Sequence, residues 1–177
     1  SGVVDICVEP DELIRRGDCI AVDAGSVGYE NFSQARSVFD RAKLRSFCYL
    51  HFNPIGEAVL PERDYLRFDK EKFIRVVEEN RDVIKGIKLR LVESALMEGA
   101  YDVIARGVEL AHKLNLSVMT HIGEHRPEAL EKARYDEAFT RLCGMLRAGD
   151  ILTHAYTYGA GGPFAGGNLQ SLKGALA

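Results

Sequence analysis

The sequence predicts an α/β protein built from parallel β/α repeats, an incomplete (β/α)8 TIM barrel. Two observations carry this. Short apolar runs alternate with segments whose apolar residues fall on one helical face. Each apolar run also closes on a polar residue at a regular interval: Asp23, Asn53, Lys88, His121 and His154 are 30, 35, 33 and 33 residues apart. That interval is the length of one strand, crossover and helix. A parallel arrangement of such units gathers their strand ends, and hence these polar side chains, on one face.

The elements follow in order. Cys19–Val22 is a short strand. The glycines of Asp23-Ala24-Gly25-Ser26-Val27-Gly28 then allow a tight turn into a helix over Asn31–Lys43. Asn31 is its expected N-cap, with Phe32, Ala35, Val38, Phe39 and Ala42 on one face. Arg45–Asn53 is the next strand, stopped by Pro54 and Gly56, and residues 57–68 make a longer loop. Asp69 caps a helix to Asn80 that turns Phe73, Val76 and Val77 inward. Residues 84–88 are a strand broken by the lysine, and a polar connection leads to helix Tyr101–Leu114 with Val103, Ile104, Val108, Leu110 and Ala111 inside. Leu116–His121 and Asp150–His154 are strands flanking helix Tyr135–Leu146. The loop Ile122-Gly123-Glu124-His125-Arg126-Pro127 is charged, Tyr158–Gly167 is glycine-rich, and the last ten residues carry no signal. Five strands do not close a barrel, which needs eight strands and about 250 residues. An open doubly wound sheet suits the length as well, and periodicity alone leaves both open.

Composition narrows the function. At 177 residues and 46% hydrophobic content, the chain reads as one domain able to bury a core. A net charge of −3 offers no footprint for nucleic acid. No apolar stretch approaches the roughly 18 residues a membrane span needs, and no signal segment opens the chain. Cys7, Cys19, Cys48 and Cys143 are scattered without a CxxC pair. Cys19 and Cys48 read as small hydrophobes within strands, and a reducing, cytoplasmic setting is expected.

Lys88 is the focal residue. An ammonium buried in a strand without a partner is costly, so such a lysine pairs, reacts or loses its charge. A structural salt bridge is the usual reading of a lone strand lysine. Its phase with His121 and His154 favours a shared chemical role instead. His51, two residues before its expected strand end, reads as a core histidine rather than a ligand. His125 lacks supporting phase, and His112, beside Lys113 on a helix, reads as solvated. Arg90 shares the strand face of Lys88 and either binds a substrate carboxylate or pairs with an acidic neighbour. Glu124 reads as a solvated loop charge. For Gly159–Gly167 a frayed end comes first, then an active-site loop, then a phosphate cradle.

Together, Val22-Asp23-Ala24-Gly25-Ser26, Gly86-Ile87-Lys88-Leu89-Arg90, Val118-Met119-Thr120-His121-Ile122-Gly123-Glu124 and Gly149-Asp150-Ile151-Leu152-Thr153-His154 resemble the amidohydrolase superfamily, in its dihydroorotase-like deacetylase branch. The likeness runs from about Pro10 to Gly159. It implies a TIM barrel with divalent metals, usually zinc, at the strand ends. It matches Lys88 to a lysine that CO2 converts to a carbamate bridging the metals, and His121 and His154 to metal ligands. The implied activity is hydrolysis of a cyclic amide, N-acyl amino acid or related ester, with a metal-bound hydroxide as nucleophile. The family's His-x-His pair has no counterpart before Asp23, and its strand-eight aspartate has none either. The expectation is therefore a fragment covering strands two to six, and the alternative to the hydrolase is a catalytically silent barrel fragment that binds at most one metal and self-associates through exposed strand edges. Expected partners are a small-molecule substrate and further copies of the chain. A metal-free, phosphate-binding isomerase or lyase using Lys88 and the glycine-rich tail is the remaining rival.

Overall fold

The structure, a computed structural model, describes residues 10–57, 67–97, 101–125, 130–165 and 167–176. Cys7, Arg126, Pro127 and most of the 57–68 loop lie outside the described residues. The chain forms two compact units, Ser1–Lys88 and Leu89–Ala177.

In the first unit, helix α1 (Pro10–Ile14) precedes β1 (Ile20–Asp23), α2 (Phe32–Arg41), β2 (Arg45–His51), α3 (Lys70–Glu79) and β3 (Ile84–Arg90), whose last two residues pass into the second unit. β1 pairs parallel with β2, and β2 with β3, with Val22 opposite Phe47 and His51 opposite Lys88. Helix α2 buries Phe32, Ala35 and Phe39, and α3 buries Phe73 and Val77, the inward faces expected from their spacing. Phe52, Phe68, Phe73 and Tyr29 then meet in one aromatic cluster, with Phe52 stacked on Phe68 at 4.1 Å between centroids. Such contacts add to area burial by about 0.5–1.5 kcal/mol each. Asp69 caps α3 as expected, its side chain accepting from Lys72 N at 2.9 Å.

The second unit continues with α4 (Glu93–Met97), α5 (Tyr101–Lys113), β4 (Ser117–His121), α6 (Lys132–Cys143), β5 (Ile151–Thr153) and α7 (Leu169–Leu176). β4 and β5 pair parallel, with His121 opposite Thr153. Leu91 N, just beyond β3, donates to His121 O at 2.8 Å. Helix α5 buries Val103, Ile104, Val108, Leu110 and Ala111. Among the described strands of the first unit the order β1-β2-β3 follows the chain, without the reversal of a doubly wound sheet. No helix among the described residues is long and apolar enough to cross a membrane.

Several expectations are corrected. Asn31 stands at the N-cap position of α2 but makes no capping bond. Its Oδ1 instead accepts from Gly28 N and its Nδ2 donates to Ile55 O, tying the loop after β1 to the loop after β2. Cys19 lies outside β1 and is exposed, whereas Cys48 is buried as expected. The glycine-rich segment is not frayed: Ala160, Gly161, Gly162 and Pro163 are buried. Glu124 and Ala160 exchange two backbone hydrogen bonds of 2.8 Å, and Asp136 holds Gly161 N and Asn168 Nδ2. The silent C-terminal stretch forms α7, and the polar connection after β3 contains α4.

Candidate active site

β2 ends on His51, β4 ends on His121, and β5 is followed at once by His154; Lys88 sits two residues before the end of β3. β2 is thus two residues shorter than expected. Asn53 belongs to a turn, where its Oδ1 accepts from Ile55 N at 2.9 Å. This places His51 at the strand terminus, a position that its sequence reading withheld.

In the first unit, Asp23 at the end of β1 accepts from the backbone N–H of Gly25 and Ser26, each at 2.7 Å. The turn lays Gly25 against the lysine. At φ +104°, a Cβ there would come within 2.4 Å of Lys88 Cγ, so only glycine fits. Gly25 O in turn accepts from Glu57 N at 3.2 Å. Lys88 is 4% exposed and His51 fully buried. Glu57 Oε1 stands 3.4 Å from Lys88 Nζ and 4.0 Å from His51 Nε2. The buried ammonium therefore has an acidic neighbour, supplied by a loop that the sequence reading left without a role.

In the second unit, His121 and His154 form an edge-to-face pair with ring centroids 4.3 Å apart and an interplanar angle of 62°. His154 adopts φ +58°, a left-handed conformation unusual for a residue other than glycine. The turn that holds it there is closed by Thr157 N donating to His154 O at 2.9 Å. Strain of this kind costs about 1–3 kcal/mol and gathers at functional positions. Arg90 ends β3 half-buried. His112, expected to be solvated, is instead engaged: its Nε2 lies 2.9 Å from Oδ2 of Asp150, whose carboxylate also accepts from Val118 N and Arg147 N. That carboxylate is a staple between α5, β4 and the start of β5. His125 is exposed.

Among the described residues no group of three or more histidine, cysteine, aspartate or glutamate side chains stands ready to hold a metal ion. The His121 and His154 imidazoles are donors of a kind that zinc accepts.

Parallel β/α units with histidines and a buried lysine at or near the carboxyl ends of their strands define a class of enzyme-like scaffold, with chemistry expected at those ends. The comparisons with known proteins narrow the class. The chain is 32% identical over 163 residues to a deacetylase of Agrobacterium fabrum, covering 88% of this chain and 37% of that protein. It is 22% identical over 150 residues to a deacetylase of Enterococcus faecalis, covering 83% and 38%. Among solved structures, a dihydroorotase matches with TM-score 0.73 and 28% identity over 89% of this chain and 41% of that one. An adenine deaminase matches in fold alone, with TM-score 0.69 and 21% identity over 82% and 38%. No family model matches the chain. The chain spans less than half the length of the curated relatives and solved structures it matches. These matches show the resemblance to the amidohydrolase superfamily, a family of hydrolase enzymes, and the parallel β/α repeats of an incomplete (β/α)8 barrel.

Proposed function

We propose that the chain belongs to a metal-dependent deacetylase-type hydrolase of a cyclic amide, N-acyl amino acid or related ester. In this reading Lys88, as a CO2-derived carbamate, holds a divalent metal, zinc by preference, together with His121 and His154. The observation that carries it is the pairing of His121 and His154 rings at 4.3 Å at adjoining strand ends. Two imidazoles brought edge to face at adjoining strand ends are well suited to share a cation. A divalent ion bound there would supply a nucleophile at neutral pH and polarise the scissile carbonyl.

The chain's own residues set the rest. Gly25, in the turn closed by Asp23, lies against the Lys88 stem. The Thr157 turn fixes His154. Arg90, at the end of β3, is placed on the Lys88 face of that strand and would orient a substrate carboxylate. The deacetylase relatives support an acetylated substrate.

The test is hydrolysis of N-acetyl amino acids, with and without added zinc, by a protein that carries this chain within a span as long as its deacetylase relatives. Metal-dependent turnover that Lys88→Ala abolishes, with partial rescue by a small added carboxylate, is the expected result. Unchanged turnover in Lys88→Ala would remove the assignment.

A second reading rests on a different observation. Ile20 and Val22 of β1 are each 50% exposed. We infer from them that the 177-residue chain by itself self-associates along β1, the reading in which it is catalytically silent and binds at most one metal. Light scattering that stays monomeric across concentrations would contradict this.

A further inference from the structure

Three side chains of the first unit meet at the ends of β2 and β3. His51 lies opposite Lys88 in the parallel register, so both side chains leave the same face of the sheet. The loop after β2 brings Glu57 onto both, at 3.4 Å from Lys88 Nζ and 4.0 Å from His51 Nε2. The other ring nitrogen of His51, Nδ1, accepts the backbone N–H of Asn53 at 2.9 Å. In the neutral ring the proton therefore sits on Nε2, the nitrogen turned toward Glu57. His51 thus turns an N–H toward Glu57, at 4.0 Å too far for a hydrogen bond.

We propose that Glu57 gates the carboxylation of Lys88; this rests on the reading of Lys88 as a carbamate ligand. Glu57 is the counter-ion of the unmodified lysine and has to release it before CO2 adds. Written out, the ammonium sheds one proton to solvent, and the Nζ lone pair forms the N–C bond to CO2. One C=O electron pair moves onto oxygen, and a second proton leaves Nζ for solvent, giving R–NH–COO⁻. Lys88 changes from cation to anion, so its attraction to Glu57 becomes repulsion.

The geometry says which partner moves. The Lys88 side chain is 5% exposed and the Glu57 side chain 30%. Gly25 backbone lies on the Lys88 stem, and even a Cβ there would reach within 2.4 Å of Cγ. Lys88 is the more confined of the two side chains and Glu57 the more exposed. Glu57 thus sets how much CO2 the site needs before it can take metal.

The experiment is ¹³C NMR of the protein equilibrated with ¹³C-bicarbonate and zinc, with the carbamate signal assigned by its loss in Lys88→Arg. Glu57→Gln removes both the attraction to the ammonium and the repulsion of the carbamate. It is expected to lower the CO2 concentration for half-occupancy by roughly three- to tenfold, the size of two partly exposed charge interactions. Glu57→Asp, which keeps the charge, is expected to stay near the parent. Glu57→Ala is read in the same way as Glu57→Gln and covers a glutamine variant that fails to fold. An unchanged or raised CO2 requirement in the neutral variants overturns the gate. Absence of a Lys88 carbamate in parent and variants alike overturns the metal-ligand reading beneath it as well.

Discussion

His121 and His154, 33 residues apart in sequence, place their rings 4.3 Å apart, one on the last residue of β4 and the other one residue past β5. The parallel pairing of these strands makes that closeness a consequence of register: His121 lies opposite Thr153, the residue before His154. Changing either histidine to alanine should lower zinc affinity by more than about 10–100-fold, the loss typical of even an outer partner of a metal ligand. Equilibrium dialysis measures it, and the double variant should lose little beyond the first loss.

Gly25 should resist substitution. Gly25→Ala combines a strained φ of +104° with a methyl 2.4 Å from Lys88 Cγ. The expected loss is at least about 2 kcal/mol of stability, read from the midpoint of urea unfolding. A midpoint equal to that of the parent would mean that the turn after β1 does not rest on Lys88.

Much of this was legible in advance, for physical reasons that differ from place to place. Helices α3 and α5 were read correctly because Phe73, Val77, Val103, Ile104 and Val108 repeat at helical spacing and are in fact buried. The His121–His154 relationship was visible because one β/α unit has a nearly constant length. His51 was undervalued because Phe47–Asn53 is an apolar run without a turn signal before Pro54, while the strand is ended by the Asn53 side chain bonding to Ile55 N. His112 and Glu57 were hidden for another reason. Their partners, Asp150 and Lys88, are 38 and 31 residues away, and only tertiary packing brings them together.

Asp150 illustrates the cost of such hidden contacts. It accepts from Val118 N at 2.8 Å, Arg147 N at 2.9 Å and His112 Nε2 at 2.9 Å, with its side chain 1% exposed. Asp150→Ala leaves these donors without their acceptor and should cost roughly 1–3 kcal/mol. Hydrogen exchange at the Val118 amide should rise in the same variant.

Asp136 gives a pH dependence. Burial works against its ionised form, but hydrogen bonds from Lys132, Asn168 and Gly161 outweigh it and hold its carboxyl below the ordinary carboxylate range. A folded pKa below the unfolded value stabilises the fold above the unfolded pKa, about 3.9. That contribution is lost as pH falls through the lower, folded value. The stability gap between parent and Asp136→Asn should therefore be constant near neutrality and close below about pH 4, as followed by denaturant titration. A gap that persists undiminished in acid would contradict the proposed anchoring of the glycine-rich segment by an ionised Asp136.

The central claim is that Lys88, His121 and His154 share one divalent ion, and anomalous diffraction at the zinc edge from zinc-loaded crystals of the protein tests it most directly. The account predicts a strong peak about 2.0–2.1 Å from a ring nitrogen of each histidine, joined to density for a carboxylated Lys88. A peak away from these three residues, or a well-ordered His121–His154 pair with no peak beside it, would contradict it.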